Sequence, residues 1–168
     1  TVNDSDAAIE ILAPVEQIAP LVFSSPHSGR VYPADFLAAS KLDSKAIRRS
    51  EDSFVDELFA QAPHLGAPLL KALFPRAYVD PNREPYELDP SMFIEPLPAF
   101  VNRRSPRVAA GLGTIARVVA NGAEIYSSKL AFDEVCARIE RYYQPYHEAL
   151  EDLINQTRMA FGSCILID

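Results

Sequence analysis

Cysteine and histidine are scarce in this 168-residue chain, which contains two of the first and three of the second. The two cysteines, Cys136 and Cys164, do not form a Cys-x-x-Cys pair, so a zinc site built from thiolates is not expected. We expect both to be buried free thiols of a protein from the reducing cytoplasm, although the sequence also permits a disulfide between them. Any metal centre must therefore depend on histidine and carboxylate ligands.

Long apolar runs and an excess of basic residues are missing as well. No run approaches the roughly 20 residues needed to cross a bilayer, and residues 1–6 lack the basic start and apolar centre of a secretory signal. The net charge of −7 argues against general binding to nucleic-acid phosphates. The chain contains no Gly-x-Gly-x-x-Gly, Walker or Gly-x-Ser-x-Gly motif, so it gives no support to nucleotide binding or serine-hydrolase chemistry.

The order of apolar patterns predicts one α/β domain over residues 1–168. Predicted strands cover residues 21–23, 69–74, 77–79 and 164–167, and short helical turns cover 33–39 and 43–49. A helix is predicted over residues 51–61 with Ser50 as its N-cap. The clearest helical pattern covers 132–161, with a kink at Pro145 and an end at Gly162. The proline-rich segment 81–106 is apolar enough to predict an ordered loop.

His27 follows the first predicted strand on a tight loop bounded by Pro26 and Gly29. Catalytic and binding groups collect at this edge of an open α/β sheet, and a neutral imidazole there suits a metal ligand or a general base. An ordinary solvated loop histidine is the alternative.

Two charged clusters bear on that choice. Glu51 and Asp52 could supply a metal ligand, or could simply stabilise the start of the predicted helix through its dipole. Asp80, Asn82 and Arg83 follow the strand predicted at 77–79, where an arginine and an asparagine could pair with a substrate carboxylate. A capped turn with a surface salt bridge is the alternative for this second cluster.

Several segments, in order along the chain, are similar to the N-formylglutamate amidohydrolase family: SSPHSG, SEDSFVDEL, RAYVDPNRE, GLGTIARV and YYQPYHEAL. The family itself resembles zinc carboxypeptidase-type hydrolases. The resemblance implies a central mixed sheet flanked by helices, one zinc ion at its carboxyl edge, and a role in histidine degradation in the cytoplasm. The implied reaction is hydrolysis of the N-formyl bond of N-formylglutamate or of a similar acidic N-acyl amino acid.

The resemblance also implies roles for individual residues. His27 would be the first zinc ligand, and the acidic ligand would be Glu51 or Asp52, with Asp52 favoured. Asn82 and Arg83 would hold a substrate carboxylate. Arg76 and Asp80 are further candidates for the substrate site.

One departure from the family pattern lies at the last predicted strand, which ends at Asp168. The resemblance implies that a second histidine ligand and the catalytic base come after Asp168, so we expect a C-terminally incomplete domain. Of the remaining histidines, His64 is expected on a solvated loop and His147 in a packing or supporting position. Two alternatives to the implied function stay open: a related zinc hydrolase for another acyl-amino acid or peptide, and a non-catalytic remnant that binds carboxylates. The sequence does not determine an oligomeric state.

Overall fold

A mixed four-stranded sheet forms the centre of the protein in a computed structural model that describes residues 7–168. The strand order is β1-β3-β2-β4, with β1 spanning Ile9–Leu12, β2 Leu21–Ser25, β3 Leu69–Ala72 and β4 Ile165–Ile167. β2 runs parallel to both β3 and β4, whereas β1 is antiparallel to β3. The predicted α/β class with a mixed sheet is confirmed. Because β2, β3 and β4 run in one direction, the residues after their ends meet at one edge.

The strand predicted at residues 77–79 is wrong, and β1 was not predicted. Residues 76–78 form a turn in which the Pro75 carbonyl accepts hydrogen bonds from the amides of Tyr78 and Val79. This turn comes after the end of β3, and the Asp80 amide then donates to the Thr114 carbonyl. Asp80 therefore still reaches the carboxyl edge of the sheet, although through a turn.

The helix predicted over residues 51–61 is also wrong. A 3₁₀ turn at Ile47–Ser50 follows helix α1 (Ala34–Ala39), and helix α2 contains only Val55–Leu58. Glu51 is extended, and Phe54 has a φ of 70°, a left-handed conformation that cannot continue a right-handed helix. Ser50 does not cap this helix, since its hydroxyl accepts from the Ala120 amide. Glu51 and Asp52 consequently lie outside a helix, and the helix-dipole explanation for them fails.

The long C-terminal helical segment is confirmed in extent. Helix α3 (Pro106–Ala109) precedes it, and the segment itself contains α4 (Phe132–Arg138), a π-helical turn (Ile139–Tyr143) and α5 (Gln144–Phe161). The expected irregularity lies just before Pro145, in the wide turn, because proline has no amide to donate to the preceding turn. Gly162 ends α5 in a left-handed conformation, as predicted.

The hydrophobic core lies where α1, α4, α5 and the proline-rich loop pack over the sheet. Two further 3₁₀ turns, Pro63–Leu65 and Pro90–Met92, border it. The prediction of an ordered proline-rich loop is confirmed, because its apolar side chains are buried in that core, among them Leu88, Met92, Phe93, Leu97 and Val101. Cys136 and Cys164 are free and half-buried.

Among residues 7–168, none of the helices combines the length and the apolar character needed to cross a membrane. The sequence interpretation of residues 1–6 lies outside the described part of the chain.

Candidate active site at the carboxyl edge of the sheet

The loop that carries His27 is held tightly against the end of β3. A Cβ atom on Gly29 would lie 2.1 Å from the Phe74 carbonyl oxygen, so the backbones approach more closely than any side chain would permit. Next to it, the Val31 amide donates to the Leu73 carbonyl at 2.9 Å. On the other side, the Asp52 amide donates to the His27 carbonyl at 3.1 Å. These contacts fix the imidazole at the sheet edge.

Both ring nitrogens of His27 face carboxylates. Nδ1 lies 3.1 Å from Oδ2 of Asp52, and Nε2 lies 2.9 Å from Oδ1 of Asp80. His27 is 7% exposed, which excludes the solvated loop histidine considered from the sequence. Two residues that lie 25 and 53 positions after His27 in the chain thus converge on its side chain.

Asp80 is the most heavily contacted carboxylate of the site. Its oxygens accept from His27, from Nη2 of Arg76 at 2.9 Å and from the Asn82 amide at 2.9 Å, and Arg83 lies 3.7 Å away. Burial alone would raise the pKa of Asp80, but the hydrogen bond and charge of His27 and the charges of the two arginines outweigh it. They lower the pKa to about 2. Asp80 therefore stays ionised and accepts hydrogen bonds from its neighbours, a role that does not suit binding a substrate carboxylate directly.

Glu51 and Asp52 have different surroundings. The Glu51 side chain is 2% exposed, and its oxygens accept from the Tyr32 hydroxyl at 2.7 Å and from Arg48 at 3.0 Å. The Asp52 side chain is 52% exposed and faces His27, with Nη1 of Arg76 at 3.5 Å. Of the two acidic candidates, Asp52 is the one whose carboxylate contacts the imidazole.

Asn82 and Arg83, the residues predicted to bind a substrate carboxylate, differ in how many hydrogen-bond donors they have available. Arg83 donates from Nε to the Leu112 carbonyl and from Nη1 to the Asn82 carbonyl, and its Nη2 lies 3.7 Å from Oδ2 of Asp80, so only part of its donor capacity remains. Asn82 is exposed, and its side-chain amide has no hydrogen bond among residues 7–168. His147 donates from Nε2 to the Pro81 carbonyl at 2.8 Å, which supports the segment between Asp80 and Asn82.

Two cavities border the His27–Asp52 pair. The first, of about 290 Å³, we call the serine-side cavity; it is lined by Ser24, Ser25, Pro26, His27, Ser28, Asp52, Val55, Phe59, Asn82 and Asp168. The second, of about 330 Å³, we call the arginine-side cavity; it is lined by Arg49, Ser50, Glu51, Asp52, Arg76, Ala77, Asp80, Leu112, Gly113, Ala116, Val118 and Ala120. Asp52 lines both cavities, whereas His27 lines only the serine-side cavity.

Sequence reasoning missed a hydroxyl network beside the serine-side cavity. The Tyr146 hydroxyl on α5 lies 2.5 Å from Oγ of Ser24 at the end of β2, and Ser24 donates to Asp168 at 3.2 Å. Ser28 donates to the Asp52 carbonyl at 2.7 Å. The clustered serines around His27 were the available signal, but no local pattern indicates that Tyr146 reaches them from a distant helix.

His27 and Asp52 supply donor atoms of the types that zinc binds. Ligand atoms on one tetrahedral zinc ion lie roughly 3.3 Å apart, so the 3.1 Å between Nδ1 and Oδ2 fits two ligands of one ion. Within residues 7–168, however, no group of three or more histidine, cysteine, aspartate or glutamate side chains is arranged to hold a metal. His27 and Asp52 thus offer two donor groups, one fewer than the three protein ligands that a catalytic zinc site uses.

Comparison with known proteins gives the class. The model of a family described as N-formylglutamate amidohydrolase matches residues 19–168. A crystal structure of N-formylglutamate amidohydrolase from Ralstonia eutropha has 38% sequence identity and a TM-score of 0.87, covering 95% of this chain and 56% of that one. A gene product of Agrobacterium tumefaciens shares the fold, with 17% identity and a TM-score of 0.67, over 96% of this chain and 55% of that one. No curated protein matched the chain.

The fold and these matches define the class of protein. It is that of the amidohydrolases with an α/β architecture, a group of hydrolases. The chain belongs to the N-formylglutamate amidohydrolase family, which confirms the resemblance seen in its motifs. It spans a little over half the length of the two solved structures.

Proposed function

We propose that this chain carries the His27 half of a zinc-dependent active site that hydrolyses the N-formyl bond of N-formyl-L-glutamate or a similar acidic N-acyl amino acid in the cytoplasm. The observation that carries the proposal is the buried His27 between Asp52 and Asp80, beside two cavities at the carboxyl edge of the sheet. Family membership supports the reaction type. The free, half-buried thiols of Cys136 and Cys164 suit a reducing compartment.

His27 and Asp52 are the residues that would hold zinc. When bound, zinc supplies Lewis acidity at an amide carbonyl and activates water for attack near neutral pH. The ionised Asp80 accepts a hydrogen bond from the protonated Nε2 of His27, which leaves the lone pair of Nδ1 directed toward Asp52. Asp80 thereby acts as a positioning residue for the ligand.

Substrate orientation would depend on Asn82 and Arg83. The free amide of Asn82 lines the serine-side cavity next to His27. Arg83 is the next residue, and its Nη1 and Nη2 carry N–H donors beyond those directed at the Asn82 carbonyl and Asp80. Together they offer donors for one substrate carboxylate. Holding the substrate there would align its amide with His27 and Asp52 and remove most of the entropic cost of a productive encounter. Arg76 contributes indirectly, because its guanidinium bridges Asp52 and Asp80.

The test is zinc content and hydrolysis measured together on the purified chain and on His27→Ala. We expect the parent chain to bind zinc, and we expect zinc binding, together with any release of formate from N-formylglutamate, to be lost in His27→Ala. His64→Ala is the matched control, because His64 lies on the Pro63–Leu65 turn and lines neither cavity. Undiminished hydrolysis after zinc removal, or in His27→Ala, would overturn the proposal.

A substrate panel separates the alternatives. N-Formylglutamate, N-acetylglutamate and N-formylaspartate distinguish formyl-specific hydrolysis from hydrolysis of other acidic acyl-amino acids. Binding of these compounds with neither zinc uptake nor turnover would identify a carboxylate-binding domain and contradict the enzymatic proposal.

A further inference from the structure

Arg49 differs from the other arginines around the site in its contacts. Arg76 and Arg83 interact with Asp80, and the neighbouring Arg48 pairs with Glu51. The Arg49 guanidinium, by contrast, has no hydrogen bond or ion pair within the described residues. The residue is exposed. Arg49 thus lines the arginine-side cavity with its hydrogen-bonding donors available.

The backbone that carries Arg49 is well fixed. Its amide donates to the Ala46 carbonyl within the 3₁₀ turn, and the next residue, Ser50, accepts from the Ala120 amide at 3.1 Å. Because Asp52 follows only three positions later and is itself tied to His27, Arg49 has a defined place relative to the imidazole. The Arg49 side chain is therefore attached to a backbone whose position is fixed by hydrogen bonds.

The remaining walls of the arginine-side cavity suit a short aliphatic chain. The small or apolar residues of the same lining are Ala77, Leu112, Gly113, Ala116 and Val118. A volume of about 330 Å³ falls within the ordinary range of small-molecule sites. The cavity thus combines small apolar side chains, which suit contact with methylene groups, with one arginine that is not paired with a carboxylate among the described residues.

Carboxylates in the same lining would repel an acidic ligand, so such a ligand needs a compensating cation there. Glu51, Asp52 and Asp80 also line the cavity, and each carboxylate would repel a second negative group. Arg76 already contacts Asp52 and Asp80, and Arg48 contacts Glu51, so both arginines are engaged with these three acids. Arg49 is the remaining cation of the lining that can compensate an incoming carboxylate.

We propose that Arg49 determines specificity for the side-chain carboxylate of an acidic acyl-amino acid whose methylene groups occupy the arginine-side cavity. This inference rests on the proposed function, in which Asn82 and Arg83 hold the other carboxylate at the serine-side cavity. Because Asp52 lines both cavities, a ligand with one carboxylate at each would carry its formamide group, which branches from the α carbon between them, beside Asp52.

The experiment compares the binding of N-formyl-L-glutamate with that of N-formyl-L-glutamine, a neutral ligand of nearly the same shape. Titration calorimetry on the metal-free chain, prepared on a chelating resin, separates binding from hydrolysis. We expect the parent chain to prefer the glutamate ligand by about fivefold, since one solvent-accessible charge pair is involved. Arg49→Met should abolish the preference by weakening only the glutamate ligand, and Arg49→Lys should restore part of it.

The control variant is Lys45→Met, which removes the same charge from the same surface segment at an exposed residue that lines neither cavity. It should keep the full preference. A preference that survives in Arg49→Met, or that disappears equally in Lys45→Met, overturns the inference. Failure of the parent chain to bind zinc would instead count against the proposed function, and the binding ratio would still decide the role of Arg49.

Discussion

Nε2 of His27 lies 2.9 Å from Oδ1 of Asp80, and the two residues are 7% and 4% exposed. A buried carboxylate at this distance favours a proton on Nε2 and leaves Nδ1, which faces the more exposed Asp52, as the candidate ligand atom. The same carboxylate also accepts from Arg76 and from the Asn82 amide. Asp80 therefore connects the candidate metal ligand to the candidate substrate-binding segment.

The stability of the metal-free chain should fall steeply in acid because of Asp80. Its pKa is lowered from the ordinary value of 3.8 to about 2 in the folded protein. The ionised carboxylate therefore stabilises the fold above about pH 4, and this contribution disappears as the pH falls through about 2. The shift corresponds to about 2 kcal/mol. Urea unfolding between about pH 5 and pH 2 should show a smaller pH dependence in Asp80→Asn than in the parent chain.

Asp89→Asn serves as the comparison for that measurement. Asp89 caps the Pro90–Met92 turn and pairs with Arg117, and its pKa is also lowered, with hydrogen bonds from Ser91 and Arg117 outweighing its burial. It does not contact His27 in the described structure. Equal flattening of the pH dependence by both variants would mean that the acid effect does not depend on the His27–Asp80 contact.

Gly29 is expected to be irreplaceable. A Cβ atom there would lie 2.1 Å from the Phe74 carbonyl oxygen and 2.7 Å from the Leu73 carbonyl carbon, so the His27 loop would have to leave the end of β3. We expect Gly29→Ala to lower the free energy of unfolding by at least about 3 kcal/mol, as overpacking against backbone atoms does. Thermal or urea unfolding measures this directly.

Gly122→Ala is the matched substitution, because Gly122 has a φ of +81° but no atom within 4 Å of the position that a Cβ would take. Its cost should be limited to backbone strain, about 1 kcal/mol. A Gly29→Ala variant no less stable than Gly122→Ala would contradict the close approach between the His27 loop and β3.

The sequence predicts the architecture well where patterns are long or strongly apolar. The alternation of elements indicates the α/β class, and the segment 132–161 is helical throughout. Local rules fail around Ser50, since a plausible cap followed by acidic residues predicts a helix. A left-handed Phe54 and a hydrogen bond from the distant Ala120 amide produce an extended segment instead. Tertiary contacts outweighed local propensity there.

The candidate site, like the fold, is predictable from the sequence only in part. His27 follows a predicted strand, Asp52 belongs to an acidic pair at a predicted helix start, and Asp80 follows the strand wrongly predicted at 77–79. The structure brings the three together. Arg49 and Tyr146 carry no such signal. Arg49 resembles any other surface cation, and Tyr146 any other member of a helical apolar face, until the fold shows which cavity or hydroxyl each one meets.

Asp52→Asn and Glu51→Gln should affect zinc binding very differently. Asp52 directs a half-exposed carboxylate at Nδ1 of His27, whereas Glu51 is buried against Tyr32 and Arg48. Removing a ligand charge should weaken zinc binding by at least about 100-fold, beyond the usual effect of a residue that only supports a ligand. Glu51→Gln preserves an acceptor for the Tyr32 hydroxyl and should change zinc affinity by less than about twofold while lowering stability by about 1 kcal/mol. Competition titrations with a chromogenic chelator, with unfolding curves for both variants, measure these quantities. A larger loss of zinc affinity in Glu51→Gln would reverse the assignment, because the acidic ligand would then be the residue that the structure pairs with Tyr32.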